Sequence, residues 1–270
     1  MNGLRLPVKQ KLSQAYTLSL IIALLMAVMS LVSLLFQPVI YPGEELRRLF
    51  LSNDVVNLCI CLPILLGSMA LARSGRLIGL LFWPGALFYV TYNYLAYAIA
   101  TRISWPFLVY LTLVALSIYT IVHLLTGTDL AEVRQALHGT VPERVIGGVL
   151  AGFGILFFVM QGAKVMQALT GQAPLTGGDL ALVVTDLIII PTWVVGGILL
   201  WRKRAFGYLV GAGLLFQASM LFIGLLVFFL LQPVVAAVPF PAGDFVVILV
   251  MGLICFVPFG LFVRGVLRSA

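Results

Sequence analysis

The chain has 270 residues, of which 62% are hydrophobic and only 9% are charged, and its mean hydropathy is +1.16. Soluble domains carry about 25% charged residues, so this composition excludes a water-soluble globular protein. The net charge of +7 could suit a nucleic-acid-binding protein. The basic residues are concentrated in short connections between apolar runs, however, which is typical of a membrane protein. We therefore expect membrane lipids as partners and no nucleic acid.

Eight apolar runs follow one another along the chain, and each is long enough to cross a hydrocarbon core of about 30 Å as a helix. Barrel strands would be shorter and would alternate in polarity. The sequence therefore predicts an all-α, polytopic membrane protein with eight transmembrane helices. The predicted spans are 15–36, 55–72, 77–100, 105–125, 145–168, 181–201, 206–231 and 245–263.

The distribution of positive charge predicts the orientation. Most of the Lys and Arg residues fall on one side of the predicted bundle, so the positive-inside rule places both termini in the cytoplasm, across a plasma membrane that we take to be prokaryotic. The basic start of the chain also resembles a signal peptide, but a signal core is only about 7–15 residues long, so 15–36 is expected to be a retained span. The inner basic residues are Arg5, Lys9, Lys11, Arg73, Arg76, Arg134, Arg144, Arg202, Lys203, Arg204, Arg264 and Arg268.

The second and third spans recur as the sixth and seventh when the sequence is shifted by 128 residues. This shift pairs Pro63 with Pro191, Arg76 with Arg204, Gly79 with Gly207 and Gly85 with Gly213. Four spans is an even number, so two such halves would enter the membrane from the same side as parallel repeats. We predict halves at 1–125 and 145–270, joined by a cytoplasmic amphipathic linker at 126–144. Chance similarity between Gly- and Pro-containing membrane helices is the alternative.

Two connections are long enough to form helices of their own. The outer connection, 42–53, interleaves charged and apolar residues and predicts a short helix lying in the membrane interface. The inner connection, 128–137, has an apolar face and predicts a helix that Thr128 caps and Gly139 ends. Three aromatic residues near the outer side, Tyr41, Tyr97 and Trp105, are expected in the interfacial aromatic belt.

Ionisable residues inside a bilayer cost a few kcal/mol unless they are paired or wetted, so they indicate where a site could lie. Asp186 and Lys164 have similar predicted depths in the sixth and fifth spans. One interpretation is a structural ion pair. The other is that Asp186 binds a cation, a proton or the polar head of a ligand, while Lys164 modulates its charge.

Other polar side chains gather at about the same depth, mostly in the outer half of the spans. Such groups can simply hydrogen-bond helix to helix, which contributes about 0.6 kcal/mol each on average. They can also line a pocket between the two halves. The candidate ligand-binding residues are Asp186, Lys164, Tyr89, Tyr92, Asn93, Gln217, Asn57, Trp193 and Gln161.

The sequence contains no motif of a metalloprotease, a serine hydrolase or a phosphoryl-transfer enzyme, and Cys59 and Cys61 match neither a redox nor a zinc spacing. No cofactor can be assigned. We predict a protein that binds or transports a small organic or amphipathic molecule. A lipid-directed hydrolase or isomerase that uses Asp186 or a histidine, and a non-catalytic assembly subunit, are the alternatives. Three Gly-x-x-x-Gly motifs leave oligomer formation open.

Overall fold

The computed structural model describes residues 6–175, 177–235 and 237–269, and these residues are helical apart from their connections. Arg5, which we counted among the inner basic residues, lies outside this part of the chain. The elements are α1 (Ser13–Leu35), α2 (Gln37–Ile40), α3 (Glu44–Val56), a π-helical turn (Asn57–Cys61), α4 (Leu62–Arg73), α5 (Leu77–Ala100), α6 (Trp105–Gly127), α7 (Leu130–Leu137), α8 (Glu143–Leu169), α9 (Gly177–Trp201), α10 (Ala205–Val235) and α11 (Ala242–Ser269).

Seven of the described helices are long and apolar enough to cross a membrane. They are α1, the continuous stretch Glu44–Arg73, α6, α8, α9, α10 and α11. The protein is therefore a multi-pass helical membrane protein. The remaining long helix, α5, has the predicted bounds, but its tyrosines, Asn93 and Pro84 make it less apolar, and most of its side chains are buried. A helix enclosed by other helices needs no continuous lipid-facing surface, so the count of eight spans stays a prediction.

The outer connection differs from our prediction. We expected an interfacial helix at 42–53 that is separate from the second span, but α3, the π-helical turn and α4 form one continuous helical stretch, Glu44–Arg73. The apolar side chains Phe50 and Leu51 are buried against protein rather than lying in the interface. The π-helical turn directly precedes Pro63, a residue that lacks a backbone donor and crowds the preceding turn of a helix.

The inner connection forms its helix, α7, at the predicted place but with a different cap. The Asp129 carboxylate accepts hydrogen bonds from the backbone N–H groups of Ala131 and Glu132, so Asp129 and not Thr128 is the N-cap. Thr128 Oγ1 instead donates to the Leu124 carbonyl at 2.7 Å. The apolar face of α7 is buried and packs against α10 and α11.

The basic end of the bundle brings several connections together. Lys9 N–H donates to the Gly127 carbonyl, and Gly265 of α11 packs against Thr140. Glu143 joins this end to the α9–α10 turn, because it accepts a hydrogen bond from the Tyr208 hydroxyl at 2.8 Å and lies 3.7 Å from Lys203 Nζ. Both described ends of the chain thus lie at the same end of the bundle. Its cytoplasmic placement stays a prediction.

The turn between α4 and α5 and the turn between α9 and α10 share their backbone geometry. Gly75 and Lys203 both have a positive φ, of 79° and 55°. In each turn this residue donates a hydrogen bond to the carbonyl three positions earlier, and the next residue donates to the carbonyl five positions earlier. The bonds run from Gly75 to Ala72, from Arg76 to Leu71, from Lys203 to Leu200 and from Arg204 to Leu199. These positions are the ones that the shift of 128 residues superposes.

Helices α5 and α10 form the centre of the bundle. Helix α5 packs against α4, α6, α9 and α10, while α10 also packs against α3, α9 and α11. The two central helices approach each other most closely where Gly85 faces Gly213, since a β-carbon on Gly85 would lie 2.2 Å from the Gly213 carbonyl oxygen. This contact leaves no room for a side chain and fixes the separation of the two helices.

Replacing Gly85 by Ala should therefore destabilise the bundle, because the added methyl group meets backbone that cannot move aside. Overpacking of this kind typically costs about 1–3 kcal/mol. We expect a thermal unfolding midpoint several degrees lower in detergent.

The matched control is Gly67→Ala on the lipid-facing side of α4, where an added β-carbon meets nothing within 4 Å. This variant should unfold at the wild-type temperature or slightly above it, since Ala favours a helix. Equal midpoints for the two variants would contradict the close approach of α5 and α10.

Candidate functional site

A cavity of about 460 Å³ lies in the half of the bundle away from the basic end. Its walls come from the middle of α3, the first two thirds of α9 and Ile248 of α11, and from the second halves of α5, α8 and α10. The same end of the bundle is closed between α3 and α9 by Glu45, which accepts a hydrogen bond from the Gly178 N–H at 3.1 Å. The volume lies within the range of about 300–1,000 Å³ that is usual for small-molecule sites.

Most of the predicted site residues line this cavity. Those that do are Asp186, Lys164, Tyr89, Tyr92, Asn93, Gln161 and Trp193. The other two are buried beside it and join helices: Gln217 Oε1 accepts a hydrogen bond from Trp193 Nε1 at 2.7 Å, and Asn57 Nδ2 donates to the Tyr97 hydroxyl at 3.5 Å. Gln217 therefore fixes the rotamer of a residue that lines the cavity, without reaching the cavity itself.

Asp186 connects three helices at the cavity wall. Its Oδ1 accepts a hydrogen bond from the Tyr92 hydroxyl of α5 at 2.8 Å, and its Oδ2 accepts one from Gln161 Nε2 of α8. Lys164 lines the same cavity, but no charged atom of Lys164 comes within 4 Å of the Asp186 carboxylate. The ion pair that we considered is therefore not formed. Lys164 is exposed, at the rim of the cavity.

Two polar atoms of the cavity-lining residues are buried and have no hydrogen-bond partner of normal geometry, namely Asn93 Nδ2 and Gln161 Oε1. The Tyr89 hydroxyl is near enough to Asn93 to interact with it. Gln161 uses its amide nitrogen on Asp186, so its oxygen is left as an acceptor. An unpaired buried polar atom costs about 1–3 kcal/mol, which a ligand that offers a donor and an acceptor would recover.

Aromatic rings make up much of the remaining wall, and the sequence analysis missed several of them. Phe157 of α8 lies edge-on to Trp193 with ring centroids 6.2 Å apart, and it also contacts Phe222 of α10 at 6.3 Å. Phe228 and Phe229 of α10 line the outer part. Aromatic residues within a uniformly apolar span carry no periodic signal, so only the packing shows which of them face inward.

A second buried acid, Asp54, lies close to the cavity, and its surroundings correct our expectations. We expected Tyr41 and Tyr97 in the aromatic belt, but both residues, like Asp54, are almost completely buried. The Tyr41 hydroxyl donates to Asp54 Oδ2 at 2.7 Å, and the Tyr97 hydroxyl lies 3.0 Å from Asp54 Oδ1. Burial raises the pKa of Tyr41, which lies outside the spans, so its phenol keeps the proton that it donates.

One residue, Asn53, connects Asp54 and its hydrogen-bonded tyrosines to the cavity. Asn53 lines the cavity, and its Nδ2 donates to the Tyr97 hydroxyl at 3.2 Å. The Asp54 carboxylate is therefore two hydrogen bonds away from the cavity wall. Had helix α3 been extended into the second span, the spacing of Phe50, Asn53 and Asn57 would have placed these residues on one helical face with Asp54 beside them.

The two histidines are not part of the cavity lining. Gln10 lies 3.5 Å from His123 Nδ1, and the His138 ring lies 6.5 Å from that of Tyr208, both toward the basic end. Asp186 and the histidines, either of which the enzyme alternative would use as its acid or base, are therefore not brought together. Among the described residues no group of His, Cys, Asp and Glu could hold a metal ion.

The fold and this site define a multi-pass helical membrane protein with an aromatic, acid-containing cavity. Comparison with known protein families, with functionally characterised proteins and with solved structures finds no match to this chain. Its function must therefore be argued from the chemistry of the cavity.

Water access to the cavity can be tested by cysteine substitution in a background that lacks Cys59, Cys61 and Cys255. Leu182 lines the cavity, whereas Val195 lies on the lipid-facing surface of the same helix and is 57% exposed. Charged methanethiosulfonate reagents need a hydrated thiolate. We expect Leu182→Cys to react at least about ten times faster than Val195→Cys, since a difference of about 1.4 kcal/mol in reaching the thiolate already gives tenfold. Equal rates would mean that the cavity is dry.

Proposed function

We propose that the protein binds a small amphipathic organic molecule in this cavity, with a cationic or hydrogen-bond-donating end directed at Asp186. The observation that carries the proposal is a carboxylate, held by Tyr92 and Gln161, in the wall of an otherwise largely aromatic and aliphatic cavity. An acid at this depth is costly unless it has a role. Within the described structure no Lys, Arg or His lies within 4 Å of it.

The composition of the wall favours a cation over an anion at the inner end of the ligand. Aromatic faces attract organic cations through their quadrupole, and this attraction contributes about 0.5–2 kcal/mol for each well-placed ring. Tyr89, Tyr92 and Trp193 belong to the same lining as the acid, and the Tyr92 hydroxyl contacts it directly. The free Gln161 Oε1 adds an acceptor for an N–H group. Lys164 stands at the exposed rim, where water and salt screen its charge.

Transport of the ligand would require the two halves of the bundle to move, and the proposed parallel repeat supplies such halves. Its support is the shared geometry of the turns at Gly75 and Lys203, and the contact between Gly85 and Gly213, two positions that the shift of 128 residues pairs. Equivalent residues touch only near a symmetry axis. Carriers with parallel repeats hold their ligands at the interface between the repeats, and this cavity draws its wall from helices of both halves.

We further propose that the cavity opens to the outer side and that the basic end is cytoplasmic, as the positive-inside rule favours. Below the cavity the path toward the basic end is closed by the contact of α5 with α10, where Phe82 stacks on Phe216 at a centroid distance of 4.5 Å. Transport as distinct from binding would require this contact to separate.

The binding proposal can be tested with two ions of the same shape and opposite charge, tetraphenylphosphonium and tetraphenylborate, and with the protein in lipid nanodiscs. We expect the wild-type protein to bind the phosphonium above the level of empty nanodiscs and more tightly than the borate. Asp186→Asn should weaken phosphonium binding by about tenfold or more, because unit charges about 6 Å apart attract by about 3 kcal/mol at an effective dielectric constant of about 20, and 1.4 kcal/mol is tenfold.

The matched control is Asp179→Asn, the same change on the same helix at an exposed acid outside the cavity. It should bind the phosphonium like the wild type. Wild-type affinity in Asp186→Asn, with the protein still folded, would remove the carboxylate from the site. Preferential binding of the borate would reverse the sign of the ligand charge.

A further inference from the structure

We propose that Asp54 and the oxygen atoms around it form a second site, which takes a monovalent cation, either a proton or Na⁺. This site does not depend on ligand binding in the cavity. Asp54 is 1% exposed, and its carboxylate has no Lys, Arg or His within 4 Å among the described residues. A carboxylate buried without a positive partner costs several kcal/mol, so a cation from solution is the expected compensation.

The groups around Asp54 are those that a small hard cation prefers, since they present only oxygen atoms. The Ser30 hydroxyl of α1 interacts with the carboxylate and lies 3.4 Å from the Tyr94 hydroxyl. The Phe50 carbonyl is 3.2 Å from the Tyr97 hydroxyl, which also contacts Asp54. Carboxylate, hydroxyl and carbonyl oxygens from α1, α3 and α5 thus converge on one buried volume.

Three more oxygen atoms in this group are buried and lack a hydrogen-bond partner: Ser33 Oγ, Tyr110 Oη and Asn57 Oδ1. Each belongs to a residue that is at most 1% exposed. Buried polar atoms are almost always paired with protein or with a bound species, so three unpaired oxygens beside one uncompensated acid indicate that something is bound among them. The Ser33 hydroxyl is close to Tyr41 and Tyr110 without normal hydrogen-bond geometry.

The Tyr41 and Tyr97 hydroxyls, which donate hydrogen bonds to the Asp54 carboxylate, can break those bonds because each has another acceptor nearby. The Tyr97 hydroxyl can turn its proton to the Phe50 carbonyl, and the Tyr41 hydroxyl can turn toward Ser33 Oγ, which is otherwise unused. A cation arriving at Asp54 would therefore leave no new buried donor unsatisfied.

The position of the site gives it a structural counterpart in the second half of the chain. The shift of 128 residues places Ser33 on Gln161, Asp54 on Leu182 and Tyr94 on Phe222, and all three second-half residues line the cavity. In the first half of the chain, tyrosine side chains thus fill the volume that corresponds to the open cavity of the second half. Asn53, which donates to Tyr97 and lines the cavity, joins the two.

The groups that face Asp54 from each neighbouring element limit what a change of pH can titrate there. They are Tyr41 from the connection before α3, Tyr94 and Tyr97 from α5 and Tyr110 from α6, while α1 offers only serine hydroxyls and the thiol of Cys61, in the π-helical turn, interacts with Tyr94. Asp54 is the carboxyl of this set, whereas the others are phenols and a thiol, whose ordinary pKa values are about 10 and 8.5.

The test is the thermal unfolding midpoint of the full chain in nanodiscs, without ligand, in choline, K⁺ or Na⁺ chloride at constant ionic strength and at pH 6 and 8. A cation that binds only the folded protein raises this midpoint. If Na⁺ is the occupant, Na⁺ but not choline raises the wild-type midpoint by several degrees at pH 8. If the proton is the occupant, the midpoint is higher at pH 6 than at pH 8 in every salt.

In either case Asp54→Asn should abolish the response, because the amide neither binds a proton here nor supplies a charge for Na⁺. Asp179→Asn should keep it. Should Asp54→Asn fail to fold, Tyr41→Phe takes its place. Loss of this hydrogen-bond donor should shift the pH midpoint of stability upward or change the Na⁺ affinity by about tenfold. If Tyr41→Phe causes no change in either quantity, the proposal is overturned. The proposal is also overturned if the thermal unfolding midpoint of the wild-type protein depends on neither Na⁺ nor pH.

Discussion

The constraint on which this structure depends is that a polar side chain below the headgroups must find its partner inside the bundle, since lipid offers none. Helix α5 meets this constraint in two directions. Tyr97 reaches Asp54 on α3, and Tyr92 reaches Asp186 on α9. One helix therefore holds both of these acids, and it can do so because α5 is surrounded by protein on nearly every side. Its low apolarity and its central place have the same cause.

The close approach of α5 to α10 fixes the position of α5, the helix that donates these hydrogen bonds. Glycines face each other at positions 85 and 213, so the axes of the two helices are set by backbone contact and not by deformable side chains. Toward the end of the bundle away from the basic connections, the space beside the two helices is filled differently on the two sides. Tyrosines close the side of α1, α3 and α6, whereas the side of α8, α9 and α11 keeps an open cavity.

Much of the architecture could be predicted from the sequence, because run length and hydropathy directly report which segments can lie in lipid. The depth of Asp186 and the face shared by Tyr89, Tyr92 and Asn93 follow from helical spacing alone, and those residues do meet at one cavity. Asp54 could not be placed in this way. Its burial depends on α3 continuing through the π-helical turn into α4, and the charged residues at the start of α3 indicate an interfacial helix when they are considered alone.

The sequence also could not predict which aromatic rings face the cavity or which way the Lys164 side chain points. Phe157 and Phe222 lie in spans where almost every residue is apolar, so no pattern separates an inward ring from a lipid-facing one. The sequence indicates the depth of Lys164 but not the direction of its side chain, and a four-carbon side chain near a helix end can turn outward to the interface as easily as inward to an acid.

The length of α10 affects where a ligand would meet the protein. At about 1.5 Å per residue, its 31 residues measure roughly 46 Å, well beyond a hydrocarbon thickness of about 30 Å. An ordinary tilt of about 20° absorbs only a small part of this excess. With the helix centred in the bilayer, its last turn at 232–235 would lie beyond the hydrocarbon, and Phe228 and Phe229, about 12–14 Å from the helix middle, would lie just inside its boundary. A cavity that opens near this depth would meet amphiphiles concentrated there by partitioning, so a modest intrinsic affinity would suffice to fill it.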